Sequence, residues 1–315
     1  MVGYAFFCVA MVVDWSFCNR NNDKNQIEVA LVAMGGHNGN CGLFCIVKIT
    51  IFTTPNEELY MKILLNTDYR WLYDFVHTLP SSFDTLPSSF DTLPNTTVLH
   101  KGRNEIKLVT VGDYKLVIKS YRSISLFNRV IYGRLRQSKS VRAYTNAMHL
   151  LSLGIATPKP IAAIDNYRRG VLRESVFISE LSEFYPIDLE TMTVQERDSL
   201  LDALAQFLAK IHMLGVQHND LNPANIRYRK GKSGYEFELI DNNRMTFRYR
   251  ALTERERLKD LRHFSCDTLP YVYVLDRYAR LTGINSDLFA TRGLLSRVFY
   301  NLRNRIKHSI SRKLK

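Results

Sequence analysis

His218-Asn219-Asp220-Leu221-Asn222-Pro223-Ala224-Asn225, followed after an apolar run by Leu239-Ile240-Asp241, decides the fold of this chain. Asp220 and Asn225 stand five residues apart on one loop. The loop follows a long amphipathic segment. It precedes a hairpin, 226–229 and 235–240, turned by Gly231-Lys232-Ser233-Gly234. That spacing places Asp241 at the end of the second hairpin strand, where a carboxylate can face back toward Asp220 and Asn225. Phosphoryl transfer needs such a set: one carboxylate near the acceptor hydroxyl, and an amide with a second carboxylate on the metal. The bland alternative, a polar turn between a helix and a hairpin, does not account for helix, loop, hairpin and second aspartate falling in order.

Upstream of the loop, Thr193 and Glu196 form a capping box. Leu200, Leu201, Leu204, Phe207, Leu208, Ile211 and Leu214 then make one apolar stripe at helical spacing, ended by Gly215. A helix buried along that stripe would hold the following loop rigid. Further upstream, 98–101, 106–111 and 114–119 read as three consecutive antiparallel strands. Gly102-Arg103-Asn104 makes the first turn and Gly112-Asp113 the second. A basic connection over 120–137 leads to a helix over 139–153, stopped by Gly154 with Pro158 and Pro160 behind it. The segments 160–165 and 171–181 read as two more strands.

With these elements in order, 98–315 resembles the bacterial lipopolysaccharide kinases of the Kdo and heptose type, small relatives of the protein kinases. The carrying residues are Gly102-Arg103-Asn104, Leu116-Val117-Ile118-Lys119, the 138–153 helix, Gly154-Ile155-Ala156-Thr157-Pro158-Lys159-Pro160, the His218 to Asn225 loop and Asp241. The resemblance implies an α+β, two-lobed, protein-kinase-like fold. Its small lobe (98–181) would hold a five-stranded antiparallel sheet and one helix. Its larger lobe (182–315) would be mainly helical. It implies ATP and Mg²⁺. Asp220 would orient and deprotonate the acceptor hydroxyl, Asn225 and Asp241 would hold the metal, and Lys119 would contact the α/β-phosphates. Gly102, Arg103 and Asn104 would form a minimal phosphate cover. Glu180 and Leu181 would meet adenine, and His218 would brace the loop.

The departures from the protein-kinase pattern are informative. Asn146 stands where the helix should carry a glutamate to pair with Lys119, and Glu105 is the other candidate for that place. Asn219 replaces the arginine of H-R-D. Asn242-Asn243 follow Asp241 in place of Phe-Gly, and no A-P-E follows. The features that serve peptide substrates are absent, which points to a small-molecule or glycolipid acceptor. The expected reaction is phosphorylation of a Kdo or heptose hydroxyl of the lipopolysaccharide inner core. Competing readings are another small-molecule or tRNA-modification kinase or ATPase of the superfamily, and a nucleotide-binding pseudokinase.

Charge supports an anionic partner. The chain carries +13 overall, while 1–97 hold 5 Lys/Arg and 9 Asp/Glu, leaving +17 on the remainder. From Leu288 on there are eight Lys/Arg and no acid, around an apolar stripe of Leu294, Leu295, Val298, Phe299, Leu302, Ile306, Ile310 and Leu314. A basic amphipathic helix over 288–315 suits an anionic membrane surface. The expected location is cytoplasmic, peripheral at the inner membrane. No aromatic-rich RNA module is present, so nucleic acid ranks lower.

The N-terminal third reads differently. Residues 1–60 are cysteine-rich and lack a sustained period. They read as an irregular extension or as an upstream extension of the reading frame. Cys41-x3-Cys45 lacks a matching second pair, so no metal site is expected there. The segment 1–13 is apolar without a basic start, a poor fit to a secretory leader. Residues 61–97 read as a linker carrying the tandem repeat TLPSSFD-TLPSSFD-TLP at 78–94, whose prolines exclude a coiled coil.

Overall fold

A computed structural model describes residues 10–15, 25–34, 42–54, 57–78, 96–102, 104–121, 136–232 and 234–313. The chain divides into two compact units, Met1–Ser182 and Glu183–Lys315.

The first unit is built on one antiparallel sheet. Its strands are β1 (Ala10–Trp15), β2 (Asn25–Met34), β3 (Gly42–Thr54), β4 (Glu57–Asn66), β5 (Thr96–Lys101), β6 (Glu105–Val111), β7 (Tyr114–Ser120), β8 (Pro160–Arg168) and β9 (Val171–Glu180). Their order is β1-β2-β3-β4-β8-β9-β7-β6-β5. The five expected strands are all present as β5 to β9. The sheet is nevertheless larger than five: β4 makes a sixth strand against β8, and β1 to β3 extend it outward to nine.

This corrects the reading of 1–60 as irregular and of 61–97 as a linker from its first residue. Met61, Ile63 and Leu65 of β4 enter one face of the sheet, and Leu64 enters the other. A strand buried on both faces is a short continuous apolar run, and periodicity does not distinguish it from other buried segments. The repeat at 79–94 lies outside the described residues, as does most of the 120–137 connection.

Both faces of the sheet are covered. A 3₁₀ turn, Thr67–Leu72, runs into α1 (Tyr73–Thr78), and Tyr69, Leu72 and Val76 lie over Ile63, Ile118, Ile164 and Ile178. On the other face, Val141 and Tyr144 of α2 (Lys139–Ser152) pack on Leu64 and Ala163, with Phe177 beside them. The Ser138 hydroxyl caps α2 by accepting from the Val141 N–H at 3.1 Å. The helix is tied to the sheet at its start. Buried Ser140 donates to Asp165 Oδ1 at 2.6 Å, and Ser175 donates to Ser140 at 2.9 Å.

The second unit is mainly helical. It contains β10 (Tyr185–Pro186), α3 (Val194–Met213), β11 (Val216–Gln217), β12 (Ile226–Gly231), β13 (Gly234–Leu239), β14 (Thr246–Phe247), α4 (Glu254–Leu261), α5 (Thr268–Leu281) and α6 (Ser286–Lys313). The Thr193/Glu196 capping box opens α3 as its sequence predicts. Leu200, Leu201, Leu204, Leu208 and Ile211 are fully buried. Leu214, placed on the same stripe by its spacing, is the exposed C-cap instead. The helix ends one residue earlier than the apolar spacing alone suggests.

Candidate active site

The second unit positions the loop from both ends. At the end of α3, Gly215 adopts φ +77° and its carbonyl accepts from the Arg248 N–H at 2.8 Å. A Cβ there would lie 2.1 Å from the Arg248 carbonyl oxygen, so only glycine fits. β11 then pairs with β14. Beyond the loop, β12 and β13 form the expected hairpin, and the Ile240 N–H donates to the Asn225 carbonyl at 3.0 Å. That bond sets Asn225 directly beside the strand end that carries Asp241.

A buried carboxylate fixes the loop backbone. Asp260, on α4, accepts from the His218 N–H at 2.8 Å and from the Asn219 N–H at 2.6 Å. It also faces His212 Nε2 at 3.3 Å, while His212 Nδ1 meets the Tyr278 hydroxyl at 2.8 Å. A carboxylate only accepts, so His212 presents its Nε2–H to Asp260. Burial alone would raise the Asp260 carboxyl, but the hydrogen bond and charge from His212 and the His218 contacts outweigh it and hold it below its usual range.

His218 is fully buried, and its Nε2–H donates to the Ile240 carbonyl at 3.1 Å. Its Nδ1 has no hydrogen-bond partner among the described residues. Burial lowers its pKa despite the opposing pull of Asp260, Asp220 and Asp241. A neutral ring that ties loop to hairpin is a brace, not a proton carrier.

The chemistry-bearing groups sit on this frame. Asn225 Nδ2 donates to the Asp220 carbonyl at 2.8 Å, and the Asn222 N–H donates to the same oxygen at 2.8 Å. With its amide nitrogen used inward, Asn225 has Oδ1 left to offer a cation. Asp241 lies in the left-handed region at φ +59°, and Asn243 Nδ2 donates to its Oδ1. A carboxylate and an amide oxygen are hard donors that fit Mg²⁺, which keeps water and phosphate oxygens for the rest of its shell. Among the described residues no group of three or more His, Cys, Asp or Glu is placed to hold a metal ion. The Asp220 side chain pairs with Arg244, Nη1 to Oδ2 at 3.0 Å.

Sequence reasoning missed Asp260, His212 and Arg244. Asp260 sits among Arg255, Arg257 and Lys259, which reads as a solvated helix face. Its partners lie 41 and 42 residues away, beyond any local pattern.

The remaining candidates belong to the first unit. Lys119 stands opposite Phe177 on the face that α2 covers, with its ammonium 5.6 Å from the Tyr121 ring centroid. Asn146 is half-buried on α2. Glu105 cannot partner Lys119, because the residue opposite Lys119 is Ile106 and Glu105 therefore points to the other face. There Glu105 lies 3.9 Å from the buried Lys107 ammonium. Gly102 and Asn104 close the β5–β6 turn, with the Gly102 N–H donating to the Asn104 carbonyl at 3.1 Å; Arg103 lies outside the described residues. The Glu180 N–H donates to the Lys159 carbonyl at 3.0 Å and the Leu181 N–H to the Lys115 carbonyl at 2.9 Å. Both N–H groups are thus spent within the unit, the Glu180 carbonyl accepts from the Ser179 hydroxyl at 3.1 Å, and the Glu180 carboxylate accepts from the Tyr69 hydroxyl at 2.6 Å.

Residues 100–273, more than half of the 315-residue chain, match the model of the Lipopolysaccharide kinase (Kdo/WaaP) family. The chain belongs to that family. Among lipopolysaccharide kinase relatives, the 3-deoxy-D-manno-octulosonic acid kinase of Xanthomonas euvesicatoria pv. vesicatoria (strain 85-10) is 28% identical over 130 residues, 41% of this chain and 51% of that protein. The kinase of the same name from Vibrio parahaemolyticus serotype O3:K6 (strain RIMD 2210633) is 26% identical over 135 residues, covering 40% and 55%. The chain spans about half the length of the curated relatives it matches. A solved structure of WaaP in complex with acyl carrier protein aligns over 76% of this chain and 99% of that one, at 15% identity and a TM-score of 0.47. The architecture of this Kdo/WaaP-family chain is the α+β class its sequence implies, an antiparallel sheet with helices and a mainly helical unit, with a larger sheet than expected.

Proposed function

We propose that this chain transfers the γ-phosphoryl group of ATP to a sugar hydroxyl, of Kdo or heptose, on a lipopolysaccharide inner-core precursor. The observation that carries this reading is the shared frame of Asp220, Asn225 and Asp241, fixed by the Asn225 to Asp220 and Ile240 to Asn225 hydrogen bonds. Asp220 orients the acceptor hydroxyl and takes its proton as the acceptor oxygen bonds to the γ-phosphorus and ADP departs. Asn225 and Asp241 would hold Mg²⁺, which would supply positive charge against the phosphates. Lys119 contacts the α/β-phosphates. The test is transfer of label from γ-labelled ATP to a purified Kdo-lipid acceptor. Label recovered only as inorganic phosphate, with none on the sugar of either Kdo- or heptose-bearing acceptors, would rule the reading out.

A glycolipid acceptor brings the enzyme to a membrane, and α6 supports surface contact. Among the described residues no helix is long and apolar enough to cross a membrane. Along α6, Leu295, Val298, Phe299, Leu302, Ile306 and Ile310 are all at least half exposed, with Arg303, Arg305 and Lys307 exposed between them. Such a helix lies on an anionic surface, here the cytoplasmic face of the inner membrane. Each basic residue near that surface contributes about 1 kcal/mol. Changing Arg303, Arg305 and Lys307 together to Gln should therefore weaken binding to anionic vesicles on the order of 100-fold at low salt, with little change on neutral vesicles. Unchanged co-sedimentation with anionic vesicles would remove the membrane role.

A further inference from the structure

The contact between Arg244 and Asp220 is unexplained by phosphoryl transfer itself. An arginine on the carboxylate that must receive a proton occupies one of its oxygens. Yet Arg244 is held there by design of the backbone. Its carbonyl accepts from Asn219 Nδ2 at 3.0 Å, and that amide also donates to the Thr246 hydroxyl at 3.1 Å. Asn219 is itself locked at φ +62° by its N–H bond to Asp260. Arg244 closes a 3₁₀ turn over buried Asn242 and Asn243. So the main chain of Arg244 is tied to the loop that carries Asp220, while its side chain is 51% exposed and reaches out to a carboxylate that is 24% exposed.

Two magnitudes decide what this arrangement can do. An exposed ion pair of this kind is worth roughly 0–1 kcal/mol, so an incoming anion displaces it easily. A guanidinium presents five N–H donors in a fork that fits a carboxylate in two parallel bonds, and its shortest contact with Asp220 is Nη1 to Oδ2. A neutral polyol offers no charge to draw the fork away. A sugar acid does.

We propose that Arg244 is a specificity-determining residue that binds a carboxylate on the acceptor sugar, and that this exchange frees Asp220 for the acceptor hydroxyl. The inference rests on the reading of Asp220 as the residue that faces a sugar hydroxyl. It favours an acidic sugar such as Kdo over a neutral heptose. It also gives Asp220 a resting partner that the right substrate removes and the wrong one leaves in place.

The experiment compares an acceptor sugar acid with its methyl ester on the parent protein, Arg244→Gln and Arg244→Lys. Hydrogen bonds to charged groups are worth about 1.5–3 kcal/mol, so the parent should prefer the acid over the ester by roughly 10- to 100-fold in kcat/KM. Arg244→Gln should flatten that ratio toward one, Arg244→Lys should restore part of it, and KM for Mg-ATP should not follow the ratio. Equal losses on acid and ester, or a loss that tracks Mg-ATP, overturn the proposal and leave Arg244 as a support for Asp220 or the nucleotide. Calorimetric binding of the free sugar acid and its ester separates the two readings. Arg244-dependent preference for the acid without any sugar phosphorylation sinks the kinase reading alone. Sugar phosphorylation with a preference indifferent to Arg244 sinks this one alone.

Discussion

Asp220→Ala should abolish phosphoryl transfer while leaving nucleotide affinity close to the parent's. The structural duties at this position belong to the backbone: the Asp220 carbonyl receives Asn225 Nδ2 and the Asn222 N–H, whereas the side chain meets Arg244 alone among the hydrogen-bonding and ion-pair partners in the described residues. Truncation therefore keeps the loop and removes the group proposed to take the proton. The loss of a positioned base costs on the order of 10²–10⁴ in rate. Single-turnover transfer at saturating Mg-ATP, beside a nucleotide-binding titration, checks both halves. Near-normal transfer would show that another group takes the proton, and a collapse of nucleotide binding would show that Asp220 belongs to the metal set.

Asp260→Ala should both unfold and inactivate the protein more readily than any exposed substitution. It leaves the N–H groups of His218 and Asn219 and the His212 ring facing a hole, and His218 and His212 are fully buried. Breaking a buried charged network by removing one partner costs on the order of 3–5 kcal/mol. The sign with pH follows from the direction of the shift. The folded-state pKa lies below the unfolded one, so this stabilisation is present in full above the ordinary carboxylate range and is lost as pH falls through the lowered value. The gap between parent and variant in denaturant midpoint should be flat at neutral and alkaline pH and narrow only in acid. A variant as stable as the parent at neutral pH would mean that the loop does not depend on this anchor.

These two residues mark what the sequence could and could not disclose. Asp220 was legible because its partners are local: Asn225 lies five residues on, and the hairpin register carries Asp241 to the same end. The capping box of α3 and the strands β5 to β9 were legible for the same reason, since caps, turns and alternation act over a few residues. Asp260 was not, because its burial is created by α4 docking on a loop some forty residues earlier, and a helix rich in Arg and Lys gives no apolar signal. Strand β4 was missed for a related reason. Its partner β8 lies about a hundred residues later, and only their pairing shows that Met61 to Leu65 is core and not connector.

The place of β4 decides which unit the segments flanking the TLPSSFD repeat belong to. Strand β4 lies in the middle of the sheet and β5 at its edge, and α1, just before the repeat, caps the same core that β7 helps build. The described segments on either side of the repeat, α1 and β5, thus belong to one folding unit. The entropy of closing a connection grows only with the logarithm of its length, about 0.6 kcal/mol per doubling. One more or one fewer seven-residue copy would then shift stability by only a few tenths of a kcal/mol. Copy number at this point is therefore close to neutral for stability.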